Sequence, residues 1–166
     1  MTAQDYIEVL HLLPHPEGGY YKETYRSKGK ITNECLPSVF HGERNYSTAI
    51  YYLLQQGDFS AFHKINSDEC WHFYGGDTLL IHVIDIQGDY SCVRLGSKLN
   101  NGEQPQFVVP ACSWFASEPA PASIFSFVGC TVAPGFDFAD FEMASKEELL
   151  KAFPAHTSVI SKLCRI

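Results

Sequence analysis

From residue 47 to residue 132 the chain alternates short hydrophobic runs with clusters of turn-forming residues. The runs are rich in Val, Ile, Phe and Tyr, and Gly, Asn, Asp or Pro separates each run from the next. β-Branched and aromatic residues between such turns are typical of strands, and many short strands in succession indicate a β-sandwich or barrel. The runs are STAIYYLL, SAFHKI, ECWHFY, LLIHVIDI, YSCVRLG, QFVV and SIFSFVGCTV.

The two ends of the chain follow a helical pattern instead. Near the N-terminus, a capping sequence and hydrophobic residues at helical spacing predict a helix over about 2–13, which Pro14 stops. Near the C-terminus, Ser145 and Glu148 have the spacing of a capping box, and two short helices are predicted within about 145–164. We therefore expect short helices on both sides of an all-β centre.

Between the first helix and the central strands, the sequence predicts one more strand and a loop. After Gly18-Gly19, polar and aromatic residues alternate over residues 20–26, which is a strand pattern. Residues 28–46 are polar and contain Gly, Pro and Asn, and they are predicted to form a loop. The barrel should extend over about 18–142, and the chain of 166 residues is expected to be one domain.

Composition excludes several classes of partner. The formal net charge is −7 and Lys and Arg are scattered singly, so neither nucleic acid nor an anionic membrane surface is expected to bind. The first residues lack the pattern of a signal peptide, and no hydrophobic stretch is long enough to cross a bilayer. The six cysteines form no CxxC motif, so we expect reduced thiols and a cytoplasmic protein.

The strand pair SAFHKI and ECWHFY carries the candidate chemistry. Alternation puts His63 and Ile65 on one face of the first strand, and Glu69, Trp71 and Phe73 on one face of the second. If the strands pair across the intervening turn, Glu69 lies beside His63 on the inner face. A buried histidine and carboxyl form a plausible acid–base pair. His63 and Glu69 are the predicted catalytic residues.

Five further residues are candidates for binding a ligand. Aromatic walls suit a ring-shaped ligand, and a guanidinium fork suits a carboxylate or phosphate. Core packing and a solvated edge strand are the alternative interpretations. The candidates are Ser60, Trp71, Phe73, Tyr21 and Arg26.

The same region resembles the first cupin motif, G-x5-H-x-H-x3–4-E-x6-G. Gly57, His63, Glu69 and Gly76 have the required spacing, but Ile65 stands where the second histidine belongs. The second motif, P-x-G-x2-H, falls on PACSWF, which keeps the proline but has cysteine and phenylalanine in place of the glycine and histidine. Two of the four usual metal ligands are therefore absent from their motif positions.

Four segments in order resemble the DUF985, or cupin-5, family: HPEGGYYKETYRS, STAIYYLL, FHKINSDECWHFYGGD and VGCTVAPGFDFADFE. The resemblance implies an RmlC-like jelly roll, frequent homodimers and a small-molecule cavity in the barrel. Sugar-nucleotide epimerases of the RmlC type are structural relatives that work without metal, and His63 matches the position of their histidine base. It thus implies a metal-independent isomerase or epimerase acting on a sugar or sugar-nucleotide-like metabolite.

Alternatives to this function remain open, including whether the protein is an enzyme. No cofactor is expected, but a metal-dependent oxygenase could use iron, manganese or zinc on His63 and Glu69 with a third donor such as His72 or His82. A non-catalytic ligand-binding protein is the other alternative. On the outer face of the second strand, the residues Cys70, His72 and Tyr74 are expected to lie under a second sheet or a partner subunit.

Overall fold

Two antiparallel sheets face each other in the computed structural model, which describes residues 1–165. Short β-branched and aromatic runs form the strands, as the sequence pattern predicts. The strands are β1 (Leu13–Pro14), β2 (Tyr20–Arg26), β3 (Lys30–Ile31), β4 (Arg44–Asn45), β5 (Thr48–Gln55), β6 (Ser60–Lys64), β7 (Asp68–Gly76), β8 (Leu79–Ile84), β9 (Tyr90–Leu95), β10 (Gln106–Val109), β11 (Trp114–Pro119), β12 (Phe125–Ala133) and β13 (Glu142–Met143).

From β5 onward the chain crosses repeatedly from one sheet to the other, and only the consecutive strands β8 and β9 share a sheet. The six-stranded sheet has the order β1-β2-β5-β12-β7-β10, and the five-stranded sheet has the order β13-β6-β11-β8-β9. Strands β3 and β4 form a separate pair, so the segment 28–46 is not wholly a loop as predicted. The rest of the architecture confirms the predicted cupin jelly roll with short flanking helices.

The main core lies between the inner faces of the two sheets. Alternation along β5 and β8 turns residues such as Tyr52, Leu54 and Ile81 inward, where they are almost completely buried. Trp71 and Phe115 meet edge to face in the same cluster, with ring centroids 6.4 Å apart. This core fills one part of the barrel and leaves another part open as a cavity.

The three helices cover the outer faces of the sheets. Helix α1 (Ala3–Leu10) is capped by Thr2 and packs on the six-stranded sheet. The left-handed residue His11, whose φ is 55°, caps its C-terminus, so the helix ends before Pro14, which was predicted to stop it. Helices α2 (Lys146–Ala152) and α3 (Thr157–Leu163) pack on the five-stranded sheet. In the described part of the chain no helix is long and apolar enough to cross a membrane.

The predicted pairing of SAFHKI with ECWHFY is wrong. Strand β6 pairs with β11 and β13, whereas β7 pairs with β12 and β10. The turn between them carries the chain from one sheet to the other. The inner faces of β6 and β7 therefore face each other across the barrel. His63 and Glu69 extend into the interior from opposite sheets.

A register shift in β6 alters the prediction for Ser60. His63 pairs with Phe115 and Ser60 pairs with Ser117, so β6 has one more residue than β11 between these pairs. Such a bulge breaks strict alternation. Ser60 therefore shares the face of His63, whereas strict alternation puts residues three positions apart on opposite faces.

Candidate functional site

A cavity of about 520 Å³ opens between the two sheets. Both predicted catalytic residues, His63 and Glu69, line it, and Tyr21 and Arg26 lie at its wall. The remaining wall is mostly apolar and aromatic. The further lining residues include Leu13, His15, Glu17, Lys22, Glu23, Thr48, Ile50, Ile65, Cys130, Val132, Phe136, Asp137, Phe138 and Phe141.

His63 is held rigidly at the cavity by hydrogen bonds from both ring nitrogens. Its Nδ1 lies 2.7 Å from the carbonyl oxygen of Ala61, and because a carbonyl can only accept, Nδ1 carries a proton. Its Nε2 lies 2.9 Å from Oε2 of Glu17. The ring packs against Phe115, with centroids 4.1 Å apart. The partner of His63 is therefore Glu17 and not the predicted Glu69.

Glu17 is the functional residue that the sequence reasoning missed. It lies in the turn before β2, and its backbone oxygen accepts a hydrogen bond from the Ala61 amide at 3.0 Å. Gly18 allows this close approach, since a Cβ there would lie 2.1 Å from the Phe59 carbonyl oxygen. In the sequence, Glu17 stands two residues after His15 and directly before Gly18-Gly19, a pattern that predicts only a turn.

The Glu17–His63 pair favours the charged forms of both groups. Burial raises the pKa of Glu17, but the charge and hydrogen bond of His63 outweigh it and leave the pKa below its usual value. Burial lowers the pKa of His63, but Glu17 outweighs it and leaves the pKa above its usual value. Both side chains are more than nine-tenths buried. The pair therefore favours the imidazolium–carboxylate form, and it is shielded from solvent.

His15 lies beside this pair but remains neutral. Its Nδ1 accepts a hydrogen bond from the Glu17 amide at 3.3 Å, so that nitrogen carries no proton. Burial lowers the pKa of His15, and the charge of His63 lowers it further despite the opposing effect of Glu17. The 3.4 Å approach of His15 Nδ1 to Oε1 of Glu17 is consequently not an ion pair.

Glu69 enters the cavity from β7 without a strong hydrogen-bond donor. Burial raises its pKa to about 7, and the nearby charge of Glu17 adds to the effect, while His63 and the thiol of Cys130 oppose it. The side chain is buried, with 8% of the residue exposed. Two carboxyl groups in one cavity thus have pKa values pushed in opposite directions, which is a frequent feature of acid–base sites.

An aromatic segment after β12 forms one wall of the cavity. Phe136, Phe138 and Phe141 pack against one another with interplanar angles of 71–80°. The segment is anchored by Asp140, which accepts two hydrogen bonds of 2.6 Å from the buried guanidinium of Arg44. We call residues 136–141 the aromatic wall.

Arg26 does not present the free fork that the sequence prediction gave it. Its Nε and Nη2 donate to the two oxygens of Glu23 at 3.0 and 2.7 Å. Its Nη1 donates to Asn45 Oδ1 and to the Phe136 carbonyl oxygen at 2.9 and 3.0 Å. The guanidinium therefore connects β2 to the aromatic wall and is already paired with a carboxylate.

Three other predicted ligand-binding residues do not line the cavity. Trp71 is 1% exposed and packs between Tyr52 and Phe115 in the core, and Phe73 packs against the same cluster. Ser60 is fully buried beside Glu17, whose pKa it helps to lower, although its hydroxyl makes no hydrogen bond of normal geometry. Close packing, which sequence alternation cannot measure, removes these three from the cavity surface.

The side chains do not fit a metal centre of the usual cupin kind. Within residues 1–165, no three His, Cys, Asp or Glu side chains are grouped so that they could hold a metal ion. His63 uses both ring nitrogens for Ala61 and Glu17. His72 bonds to Thr131 on the outer face, and His82 bonds to Tyr90, so neither supplies the third ligand.

Comparison with known families and sequences gives consistent matches. The family model described as "Cupin superfamily (DUF985)" matches residues 4–144. An uncharacterised protein of Saccharomyces cerevisiae is 35% identical over 161 residues, which is 90% of this chain and 79% of the yeast protein.

Solved structures show the same relationship at the level of the fold. A hypothetical protein from Leishmania major has a TM-score of 0.89 and 35% identity, with all of both chains covered. A protein from Shewanella oneidensis has a TM-score of 0.88 and 41% identity, with 99% of this chain and 98% of that chain covered. Oxalate decarboxylase from Bacillus subtilis has a TM-score of 0.54 and 14% identity over 90% of this chain and 36% of its own, a likeness of fold alone.

Proposed function

Because the chain belongs to the DUF985 family of the cupin superfamily, we propose that it binds a small cyclic metabolite in the cavity and transfers a proton on it without a metal. Such chemistry is that of an isomerase or epimerase. The observation that carries the proposal is the ion pair between Glu17 and His63, whose Oε2 and Nε2 atoms lie 2.9 Å apart at the cavity. The pair places a proton donor and a proton acceptor side by side.

The chemistry suited to this pair is enolisation of a carbonyl compound. The carbonyl oxygen of the substrate accepts the Nε2 proton of His63 in place of Glu17, and the released Glu17 carboxylate removes a proton from the adjacent carbon. The C–H bond breaks, a Glu17 O–H bond forms, and the electron pair moves to the oxygen. Protonation of that carbon on its other face, by water or a second acid, gives an epimer. In an α-hydroxy carbonyl compound the intermediate is an enediol, and it gives an isomer when the former carbonyl carbon gains a proton and the neighbouring hydroxyl loses one.

These roles differ from those assigned from sequence, in which His63 was the base. A base needs a free lone pair, whereas Nδ1 of His63 donates to Ala61 and Nε2 carries the proton shared with Glu17. The raised pKa of His63 suits a proton donor, and the lowered pKa of Glu17 keeps it ionised as the acceptor. Positioned acid–base groups of this kind typically contribute about 10²–10⁴-fold to a rate.

The test is exchange of carbon-bound hydrogen in D₂O. A panel of cyclic ketones, with and without an amino substituent, is incubated with the purified full-length protein, and deuterium beside the carbonyl is measured by NMR. We expect exchange with at least one ketone, and a loss of about 10²-fold or more in both Glu17→Gln and His63→Gln. Glu147→Gln, an exposed carboxylate on α2, is the control and should keep the full rate.

Two outcomes would contradict the proposal. Exchange that persists in both variants would show that the ion pair does not take part in the proton transfer. Binding of a ketone without any exchange would favour the alternative of a non-catalytic ligand-binding protein, and the cavity would then serve recognition alone.

A further inference from the structure

Glu69 is a buried carboxyl whose hydrogen-bonding capacity is largely unused. A carboxylate accepts up to four hydrogen bonds, and burial without donors is costly. In the described part of the chain, the group acting on Glu69 as a donor is the Cys130 thiol, which is a weak one. His63, the nearby cation, is directed to Glu17. The oxygen atoms of Glu69 are therefore available to a donor that enters the cavity.

The cationic side chains at the cavity are already bonded to the protein. Arg26 donates to Glu23 with two nitrogens, His63 is paired with Glu17, and Lys22 Nζ donates to the Leu10 carbonyl oxygen at 2.8 Å. Asp137 adds a further carboxylate to the lining. An anionic ligand would find Arg26 and His63 already paired with carboxylates, whereas a cation would meet unpaired carboxyl oxygen on Glu69.

The aromatic part of the cavity lining suits a ring and a positive charge. Tyr21 and the three phenylalanines of the aromatic wall line it, with the phenylalanine rings steeply inclined to one another. Aromatic faces attract cations as well as apolar rings, and the attraction increases when water is excluded. Carboxyl groups and aromatic rings in one small cavity are a combination typical of amine recognition.

We propose that the ligand of this cavity is a small ring compound bearing a protonated amine, whose N–H groups donate to the carboxylate of Glu69 while its ring packs on the aromatic wall. The inference rests on the proposed function and names its substrate class: carbonyl compounds that also carry a basic nitrogen. Phosphate-bearing ligands, including the sugar nucleotides implied by the distant resemblance, are disfavoured.

Protonation of Glu69 gives this recognition a pH dependence. A cation selects the ionised carboxylate, so ammonium binding weakens when the pH falls below the pKa of Glu69, which is about 7. The other titratable groups that act on Glu69 are His63, Glu17 and Cys130. Below the pKa, each unit of pH should cost up to about tenfold in affinity.

Isothermal titration calorimetry with three matched probes tests the inference on the full-length protein. The probes are 2-phenylethylamine, its uncharged analogue 2-phenylethanol, and phenyl phosphate. At pH 8 we expect the amine to bind about tenfold or more tightly than the alcohol, and phenyl phosphate to bind most weakly. At pH 6 the affinity for the amine should fall about tenfold, with little change for the alcohol.

Glu69→Gln and Glu147→Gln are the matched variants, since each removes one carboxylate. Glu69→Gln should abolish the preference for the amine and still bind the alcohol, which also shows that its cavity is intact. Glu147→Gln should behave like the wild type. If the Glu69→Gln variant fails to fold, the change in amine affinity of the wild-type protein between pH 8 and pH 6 still tests the inference.

Equal or tighter binding of phenyl phosphate or the alcohol, or an amine preference that survives in Glu69→Gln, would overturn the inference. Amine selectivity without hydrogen exchange in D₂O would overturn the proposed function alone. Exchange without amine selectivity would overturn this inference alone.

Discussion

Nε2 of His63 on β6 lies 2.9 Å from Oε2 of Glu17, which belongs to the turn before β2. The two residues come from distant parts of the chain and are brought together because Gly18 lets that turn lie directly on the start of β6. Burial alone would shift the pKa of each side chain toward its neutral form, whereas the interaction between the two side chains shifts each pKa toward the charged form. The relationship gives the cavity a built-in proton donor and acceptor.

The ion pair should stabilise the fold within a defined pH window. The lowered pKa of Glu17 adds stability above its usual value of 4.5, and this is lost as the pH falls through the folded pKa. The raised pKa of His63 adds stability below its usual value of 6.5, and this is lost as the pH rises through the folded pKa. The difference in free energy of unfolding between wild type and Glu17→Gln should therefore be largest between these two values. Urea denaturation from pH 3 to pH 9 measures it; a difference independent of pH would contradict the ion pair.

His63→Gln should lower the free energy of unfolding more than Glu17→Gln does. At pH 6, His63→Gln leaves a buried carboxylate without its cation and should cost about 3–5 kcal/mol. Glu17→Gln leaves an amide that can donate to neutral His63 and should cost about 1–2 kcal/mol. The double variant should be less destabilised than the sum, with a coupling of about 1–3 kcal/mol. Chemical denaturation of the four proteins completes the cycle, and simple additivity would show that the groups do not interact.

Glu69→Gln should stabilise the protein at alkaline pH. The pKa of Glu69 rises from a usual 4.5 to about 7 on folding, so ionisation is harder in the folded state and stability falls as the pH rises between these values. At pH 8 the substitution should raise the free energy of unfolding by up to about 3 kcal/mol, and at pH 4 it should have little effect. Urea denaturation at both pH values checks this, with Glu147→Gln as the control. Destabilisation at pH 8 would mean that the carboxylate has an undetected partner.

The buried pair Arg44–Asp140 should contribute far more to the free energy of unfolding than the exposed pair Arg26–Glu23. Asp140→Asn leaves the Arg44 guanidinium, with a side chain 4% exposed, without its counter-charge and should cost about 3–5 kcal/mol. Glu23→Gln breaks a pair whose side chains are 37% and 42% exposed and should cost less than about 1 kcal/mol. Thermal denaturation distinguishes them. Equal effects would mean that the aromatic wall is not anchored by Asp140.

The outer face of β7 is expected to contact a second copy of the chain. Tyr74 stacks on His72 yet keeps 53% of its surface exposed, so the alternative of a covering second sheet is wrong. Light scattering at micromolar concentration should give a dimer, and Tyr74→Lys should shift it toward monomer. Ile86→Lys, at an exposed hydrophobic residue in the turn after β8, is the control. A monomeric wild type would refute the expectation.

Much of the fold follows from local pattern. Short runs such as SAFHKI and SIFSFVGCTV become β6 and β12 because their residues suit a half-buried pleated surface. Thr2 and Ser145 accept hydrogen bonds at the starts of α1 and α2, because capping depends on residues three positions apart. The sequence also predicts His63 and Glu69 as site residues, and both line the cavity.

Tertiary structure decided the partners of these residues. Alternation along one strand gives a face but not the sheet to which the strand belongs, so the pairing of β6 with β7 was predicted wrongly. Glu17 became visible as the partner of His63 only when the turn at Gly18 was placed against β6. Local propensities act over a few residues, whereas charge pairing and burial depend on atoms that the folded chain brings together from distant positions. For that reason the strands could be read from the sequence, and the chemistry of the cavity could not.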